Sequence, residues 1–200
     1  MNTIEAIERR RATKKFDRNF TIPESHVNGL LELAAKSPTA FNIQHWRFVV
    51  VDDPQLREDI RAVTWMQPQV TDASLLVVVC ADLQAWRKEP ERYWRNAAPE
   101  AREGILEAIN AYYDGKEEVQ RDEAMRSCGI AAQTLMLAAT AFGYESCPMD
   151  LSDFSEVGKL IKLPNDHVIS MFVAIGKGIE EPWPRGGQLE LSEVVKINRF

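Results

Sequence analysis

A chain of 200 residues that is 45% hydrophobic can bury one substantial core, and its 27% of charged residues excludes a protein built mainly of membrane spans. Its formal net charge of −6 argues against nonspecific binding to nucleic acid or anionic membrane, both of which need a positive field. Any anion site must therefore be locally basic.

The first residues, MNTIEAIERRR, carry a short amphipathic segment with helical spacing of Ile4 and Ile7, and Thr3 is placed to cap it. They offer no continuous apolar region of the kind a signal peptide needs, which points to the cytoplasm. A helix is expected over 4–11. Pro23 suits the first turn of a second helix, in which Val27, Leu30, Leu31 and Ala34 recur at helical intervals until Ser37-Pro38 stops it. The run Phe48–Val51 reads as a buried strand, and Asp53-Pro54 supplies an N-cap and an N1 proline for the next helix. Leu75–Cys80 reads as a second buried strand. It lies within the longest apolar stretch, Leu75–Ala81, far short of the roughly 20 residues of a transmembrane helix. Neither strand alternates, so both suit a sheet covered by helices on two faces.

From Trp86 to Lys116 the chain is polar and rich in aromatics (Trp86, Tyr93, Trp94, Tyr112, Tyr113) and is expected to be helical in pieces, a lid-like excursion within one domain spanning 1–200. A long helix follows over about 119–142, with Gly143 as its C-cap. Its small residues Gly129, Ala131, Ala132, Ala138 and Ala139 would let another helix approach closely, one way to build a dimer core. A short helix around 154–161 and a strand over 168–175, closed by Gly176-Lys177-Gly178, complete an α+β chain without repeats. Cys80, Cys128 and Cys147 are odd in number and widely spaced, so they read as reduced, buried thiols rather than a disulfide or metal set.

Three patches carry chemistry. Arg9, Arg10, Arg11, Lys14 and Lys15 form a basic cluster that is either a solvated helix end or a phosphate site, since guanidinium groups bind phosphate oxygens in pairs. The segment 37–46 is either a capped turn or a recognition loop, in which Asn42, Gln44 and His45 set hydrogen-bonding side chains beside Trp46. Cys147-Pro148-Met149-Asp150, with Pro182-Trp183-Pro184-Arg185, reads in isolation as surface turns with one arginine.

Together these patches resemble the FMN-binding nitroreductase family: Arg10-Arg11 with Lys14 and Phe16, then Ser37 through Trp46 leading into a Val-rich strand. The resemblance continues through Thr71–Ser74, Gly143-Tyr144 to Met149, Leu163-Pro164, Ile175-Gly176, Arg185 and Leu191–Val195, nearly the whole chain. It implies a nitroreductase-like fold, a central mainly antiparallel sheet flanked by helices, with the long helix in the core of a homodimer and FMN sites at the subunit interface. Arg10, Arg11 and Arg185 would hold the FMN phosphate and ribityl chain. Lys14 would face the pyrimidine edge, where a cation stabilises the charge that reduction places near N1 and O2. Pro38, Thr39, Ala40 and Asn42 would cover the ring system of the neighbouring subunit's flavin, and Pro148, Met149 and Asp150 would meet its N5 and O4 side. Ala12 and Trp183 stand where members carry a phosphate-binding serine and lysine, and Leu151 where glycine is frequent. Met66 and Gln69 replace a usual asparagine or lysine at the ring edge, leaving Gln67 or Gln69 to substitute.

The implied activity is ping-pong electron transfer from NADH or NADPH to small electron-poor acceptors such as nitroaromatics or quinones, with no metal and no obligatory protein acid or base. A specialised reduction on the same scaffold (dehalogenation, enoyl reduction, flavin fragmentation) and a non-catalytic flavin-binding protein are the alternatives. No Gly-x-Gly-x-x-Gly follows an early strand, which argues against a Rossmann-type dinucleotide site.

Overall fold

The computed structural model describes residues 1–151 and 153–200. Asn2 caps the first helix, α1 (Thr3–Arg9): its side chain accepts the amide of Glu5 at 3.0 Å while Glu5 reaches back to the Asn2 amide. The cap falls one residue before the expected Thr3, because Asn2 has a glutamate three positions on and Thr3 has Ala6. The helix also stops short of Arg11, since Arg10 is extended at ψ 126°. Helix α2 (Glu24–Ala34) starts after Pro23, which serves as its N-cap.

Strand β1 (Trp46–Val50) begins two residues earlier than its apolar run predicts. Helix α3 (Pro54–Val63) has the expected cap, with the Asp53 side chain accepting the Gln55 amide at 2.9 Å. The short α4 (Gln69–Asp72) leads into β2 (Leu75–Asp82), in which every residue is buried. The excursion is more continuous than its composition suggests: two 3₁₀ turns, 85–87 and 90–94, precede the 15-residue α5 (Pro99–Tyr113). Helix α6 (Glu117–Ala141) ends in a Schellman motif, in which Gly143 at φ 86° donates to Thr140 O and Tyr144 donates to Ala139 O. Strand β3 (Glu145–Met149), helix α7 (Ser155–Leu160), strand β4 (His167–Gly176) and the exposed turn of helix α8 (Leu191–Val194) follow.

The four strands run in the order β1-β2-β4-β3, each pair antiparallel. Along β2, Leu75, Val77, Val79 and Ala81 face a core with Leu30, Ala34, Cys128 and Leu135 from α2 and α6. Leu76, Val78 and Cys80 face a second core with Ile60, Val157 and Phe172, walled by α3 and α7. The two-sided burial inferred from the missing alternation therefore holds for β2. It does not hold for β1, an edge strand whose Val50 is exposed.

Two expectations are corrected. The segment Cys147–Asp150, ordinary turn material when read alone, places its first three residues in β3; Pro148 is tolerated because β3 is an edge and needs no amide on its open side. The alanines of α6 do not form an open stripe: Ala131, Ala132, Ala138 and Ala139 are all buried within the chain, facing α2 and the sheet. Of the five small residues only Gly129 is exposed, beside Ile130.

Candidate functional site

Past α1 the chain runs extended along the end of β3. Ala12 bridges Ser146, Thr13 donates its amide to Ser146 O at 3.0 Å, and Phe16, fully enclosed, bridges Gly178. Gly176 makes this approach possible, because a Cβ there would come within 3.0 Å of the Phe16 ring and 3.1 Å of the Ser74 amide. Held at both ends, the segment directs Lys14 Nζ to 3.6 Å from Cys147 Sγ. Gln69, buried at the start of α4, brings Nε2 to 3.9 Å from the same sulfur. Burial pushes the Cys147 thiol up despite the opposing influence of Lys14 and Gln69. It is therefore neutral at pH 7 and leaves the Lys14 charge uncompensated.

The basic residues gather as the sequence suggested. Arg185 donates to Glu8 O at 3.0 Å and Arg10 O at 3.2 Å, and Arg11 donates to the carbonyl of Trp183, so the C-terminal segment is tied to the end of α1. Among the described residues Arg10, Arg11 and Lys14 have no carboxylate in ion-pair range, whereas Lys15 is taken by Glu180 at 2.6 Å. Thr13 Oγ1, Gln69 Oε1 and Ser146 Oγ are buried without a hydrogen-bond partner. Uncompensated cations beside orphaned acceptors and hydroxyls fit FMN, whose phosphate is anionic and whose ring edge offers both donors and acceptors. Gln69 rather than Gln67 adjoins this cluster. Met66 is exposed, and Leu151 is buried in the second core. Pro148 and Met149 continue β3 from Cys147, and Asp150 follows exposed, its side chain accepting the Leu151 amide. Sequence reading left Cys147 among the structural thiols; only its register on β3, opposite Ala174, brings it to Lys14.

The 38–44 loop lies elsewhere. Phe41, Asn42 and Gln44 all adopt positive φ, near 50–56°, a conformation that costs non-glycine residues energy and persists where neighbours fix it. The fixing contacts are Gln44 N to Thr39 Oγ1 at 3.0 Å, Asn42 Nδ2 to Tyr93 O at 3.0 Å and Trp94 Nε1 to Phe41 O at 2.9 Å. Asn42 thus ties the loop to the excursion. His45 is buried against Ser127 and Tyr113 and its pKa falls to about 4 by desolvation, so it is a neutral core residue rather than a recognition group. The loop precedes β1 while the cation cluster sits on β3, the opposite edge of the sheet. Three strand spacings, about 14 Å, separate these edges.

The excursion is fastened at its base. Lys88 bridges Asp82, itself buried and paired with Arg47, to Asp166 at 2.9 and 2.7 Å, and the Lys88 and His167 contacts pull Asp166 down to about 2. Lys88 thereby serves as counter-ion to both carboxylates, and His167 Nδ1 also lies 2.7 Å from Asp166. Trp86 and Tyr113 stack at 5.8 Å in a small core of their own with Ile43 and Ile109, so these aromatics are packing residues; Tyr112, edge-on to Tyr113 and tilted against Phe41, is the more exposed of the two tyrosines.

Comparison with known proteins places this arrangement. A sequence model of the Nitroreductase family matches residues 7–177. The Synechocystis protein DrgA is 50% identical over 181 residues, covering 90% of this chain and 86% of that one. YodC of Bacillus subtilis, named as a candidate NAD(P)H nitroreductase, is 31% identical over 198 residues, covering 96% and 97%. The structure of a candidate NAD(P)H:FMN oxidoreductase from Staphylococcus epidermidis superposes with a TM-score of 0.91 at 25% identity, covering 98% of this chain and 95% of that one.

Proposed function

Because the chain belongs to the nitroreductase family, we propose that it is an FMN-dependent oxidoreductase that passes electrons from NADH or NADPH to small electron-poor acceptors such as nitroaromatics or quinones. The observation that carries this reading is the cluster of Lys14, Cys147 and Gln69 beside Arg10, Arg11 and Arg185: cations free of carboxylates next to buried polar atoms without partners. FMN, when bound, supplies the hydride chemistry. The chain's own residues bind and tune it. Arg10 and Arg11 hold the phosphate, Arg185 braces the turn that presents them, Gln69 pairs with the ring edge and Lys14 supplies a fixed positive charge at the pyrimidine side. Pro148, Met149 and Asp150 border the N5 and O4 side.

The flavin site is composite, with Pro38, Thr39, Ala40 and Asn42 contributed by the second subunit of a homodimer. The opposite-edge placement of loop and cations supports this. So does the C-terminal arm, where eight apolar side chains from Ile179 to Phe200, including Trp183, Leu191 and Ile197, lie open to solvent and call for cover by another copy. Residues 86–116 form the lid of a single domain. No helix among the described residues is long and apolar enough to cross a membrane; the three buried, unpaired cysteines suit the reducing cytoplasm.

The deciding experiment is the visible spectrum of the purified protein followed by anaerobic titration with NADPH. A yellow protein bleached stoichiometrically by NADPH is the expected result. A colourless protein that does not take up added FMN overturns the reading, and one that binds FMN but oxidises no nicotinamide with any acceptor reduces it to flavin binding.

A further inference from the structure

A second basic locus lies away from the cations of β3. Between the 38–44 loop and the 90–96 turn opens a cleft of about 470 Å³ bordered by Asn42, Arg47, Arg92, Tyr93, Arg95 and Asn96. Its three arginines are not equivalent. Arg47 is committed, with Nη2 on Asp82 at 3.0 Å and Nη1 on the carbonyls of Gln44 and Trp46. Arg92 and Arg95 have no carboxylate in ion-pair range among the described residues. The Arg92 guanidinium lies 4.8 Å from the Tyr93 ring centroid and donates to that hydroxyl at 2.8 Å, which orients its fork while leaving donors open. In a protein of net charge −6, two uncompensated guanidiniums at one cleft concentrate positive potential where an anion would settle.

The lining also says what kind of anion. The lining that faces the cleft is mostly polar; Trp46 also borders it but is largely buried, so little flat apolar floor is offered to an aromatic acceptor. Its volume admits a sugar phosphate. Two guanidiniums with an adjacent carboxamide, Asn96, match a phosphate monoester, which carries close to two negative charges at neutral pH and three acceptor oxygens. Asn42 ties the cleft to the loop that, on the reading above, covers the ring of the partner's flavin. A reactant whose redox end lies on that flavin can therefore extend its far end into the cleft.

We propose that the Arg92–Arg95 cleft is a phosphate subsite that receives the 2′-phosphate of NADPH and makes this the preferred electron donor. The proposal rests on the oxidoreductase reading, and it separates the two donors by chemistry: NADH presents a hydroxyl where NADPH presents the dianion.

Both arginines are exposed, so the double variant Arg92→Ala/Arg95→Ala is expected to fold. In the flavin-loaded protein it should raise the KM for NADPH by roughly ten- to a hundredfold, the scale of lost charged hydrogen bonds. The KM for NADH should move less than twofold and the FMN content should not change. Titration calorimetry with NADP+, which needs no turnover, should show a matching loss of affinity, partly restored in Arg92→Lys/Arg95→Lys. Unchanged NADPH and NADP+ binding overturns the proposal. Equal weakening of NADPH and NADH overturns it too, because the cleft would then read the shared pyrophosphate, and so does a change confined to the KM of a carboxylated nitroaromatic. If neither wild type nor variant binds FMN yet NADP+ affinity still falls in the variant, the oxidoreductase reading fails and the phosphate subsite stands.

Discussion

Lys14 and His45 show how the same kind of neighbourhood, a polar side chain among buried groups, gives opposite outcomes. Lys14 lies beside a thiol that burial holds neutral, so no sulfur charge opposes its field at whatever binds there. Lys14→Met is expected to lower the midpoint potential of the bound flavin more than it weakens FMN binding, by roughly 30 mV for each 1.4 kcal/mol of lost reduced-state stabilisation. Potentiometry checks this, and equal midpoints with FMN still bound would place Lys14 away from the ring. His45 gives up its charge instead. Its folded pKa near 4 lies below the unfolded value of 6.5, so between these limits the unfolded chain binds more protons. Stability is therefore full above about pH 6.5 and falls as the pH drops toward 4, by up to about 1.4 kcal/mol per pH unit. In His45→Phe that part of the slope should vanish from urea-unfolding free energies measured across pH 4–7. Lys14 could be singled out in the sequence because its spacing from Arg10 and Arg11 resembles a family pattern. Cys147 was not, since a lone apolar-flanked cysteine says nothing until strand register sets it against a lysine 133 positions away.

At the scale of elements, some caps and terminators were read well, although Asn2 supplies the cap expected of Thr3, and residues that join elements were not. Asp53-Pro54 and Gly143 gave correct boundaries because each acts through local backbone geometry. Arg57 gave no signal, yet its buried guanidinium donates to Val51 O, Ala73 O and Ser74 O, fastening α3 to the end of β1 and the start of β2. Arg57→Ala strands these carbonyls and is expected to cost on the order of 3 kcal/mol, with Arg57→Lys recovering only part because an ammonium cannot fork to all three. Midpoints of urea denaturation measure both. Strand β3 was missed for the complementary reason, that proline speaks against a strand unless the strand is known to be an edge. The alanines of α6 misled for a third. Small residues permit close approach, but their spacing cannot say whether the neighbour is the chain's own α2 and sheet or a second subunit.

The molecule as a whole puts the 38–44 loop and the Lys14 cluster at opposite sheet edges, and a composite site makes a sharp prediction. A chain with Arg10→Ala and Arg185→Ala, and another with Thr39→Trp and Asn42→Ala, should each form a nearly inactive homodimer. In the mixed dimer both lesions fall in one site and the other is intact, so NADPH oxidation should return to about half of the wild-type value per dimer. A folded, dimeric, inactive heterodimer would show that each chain binds FMN alone. The sheet order has a further consequence, in time rather than space. The eight residues of β2 are all buried, yet their second partner, β4, lies far along the chain, with Asp82 paired to His167. A ribosome adding about 5–20 residues per second finishes β2 roughly 4–17 s before it reaches β4. Throughout that interval Leu75–Cys80, uncharged and without proline, has only β1 beside it and presents an open, sticky edge. A chain stopped at residue 160 should accordingly aggregate on expression, as sedimentation of the lysate will reveal, whereas the full-length chain escapes this fate once synthesis outruns self-association.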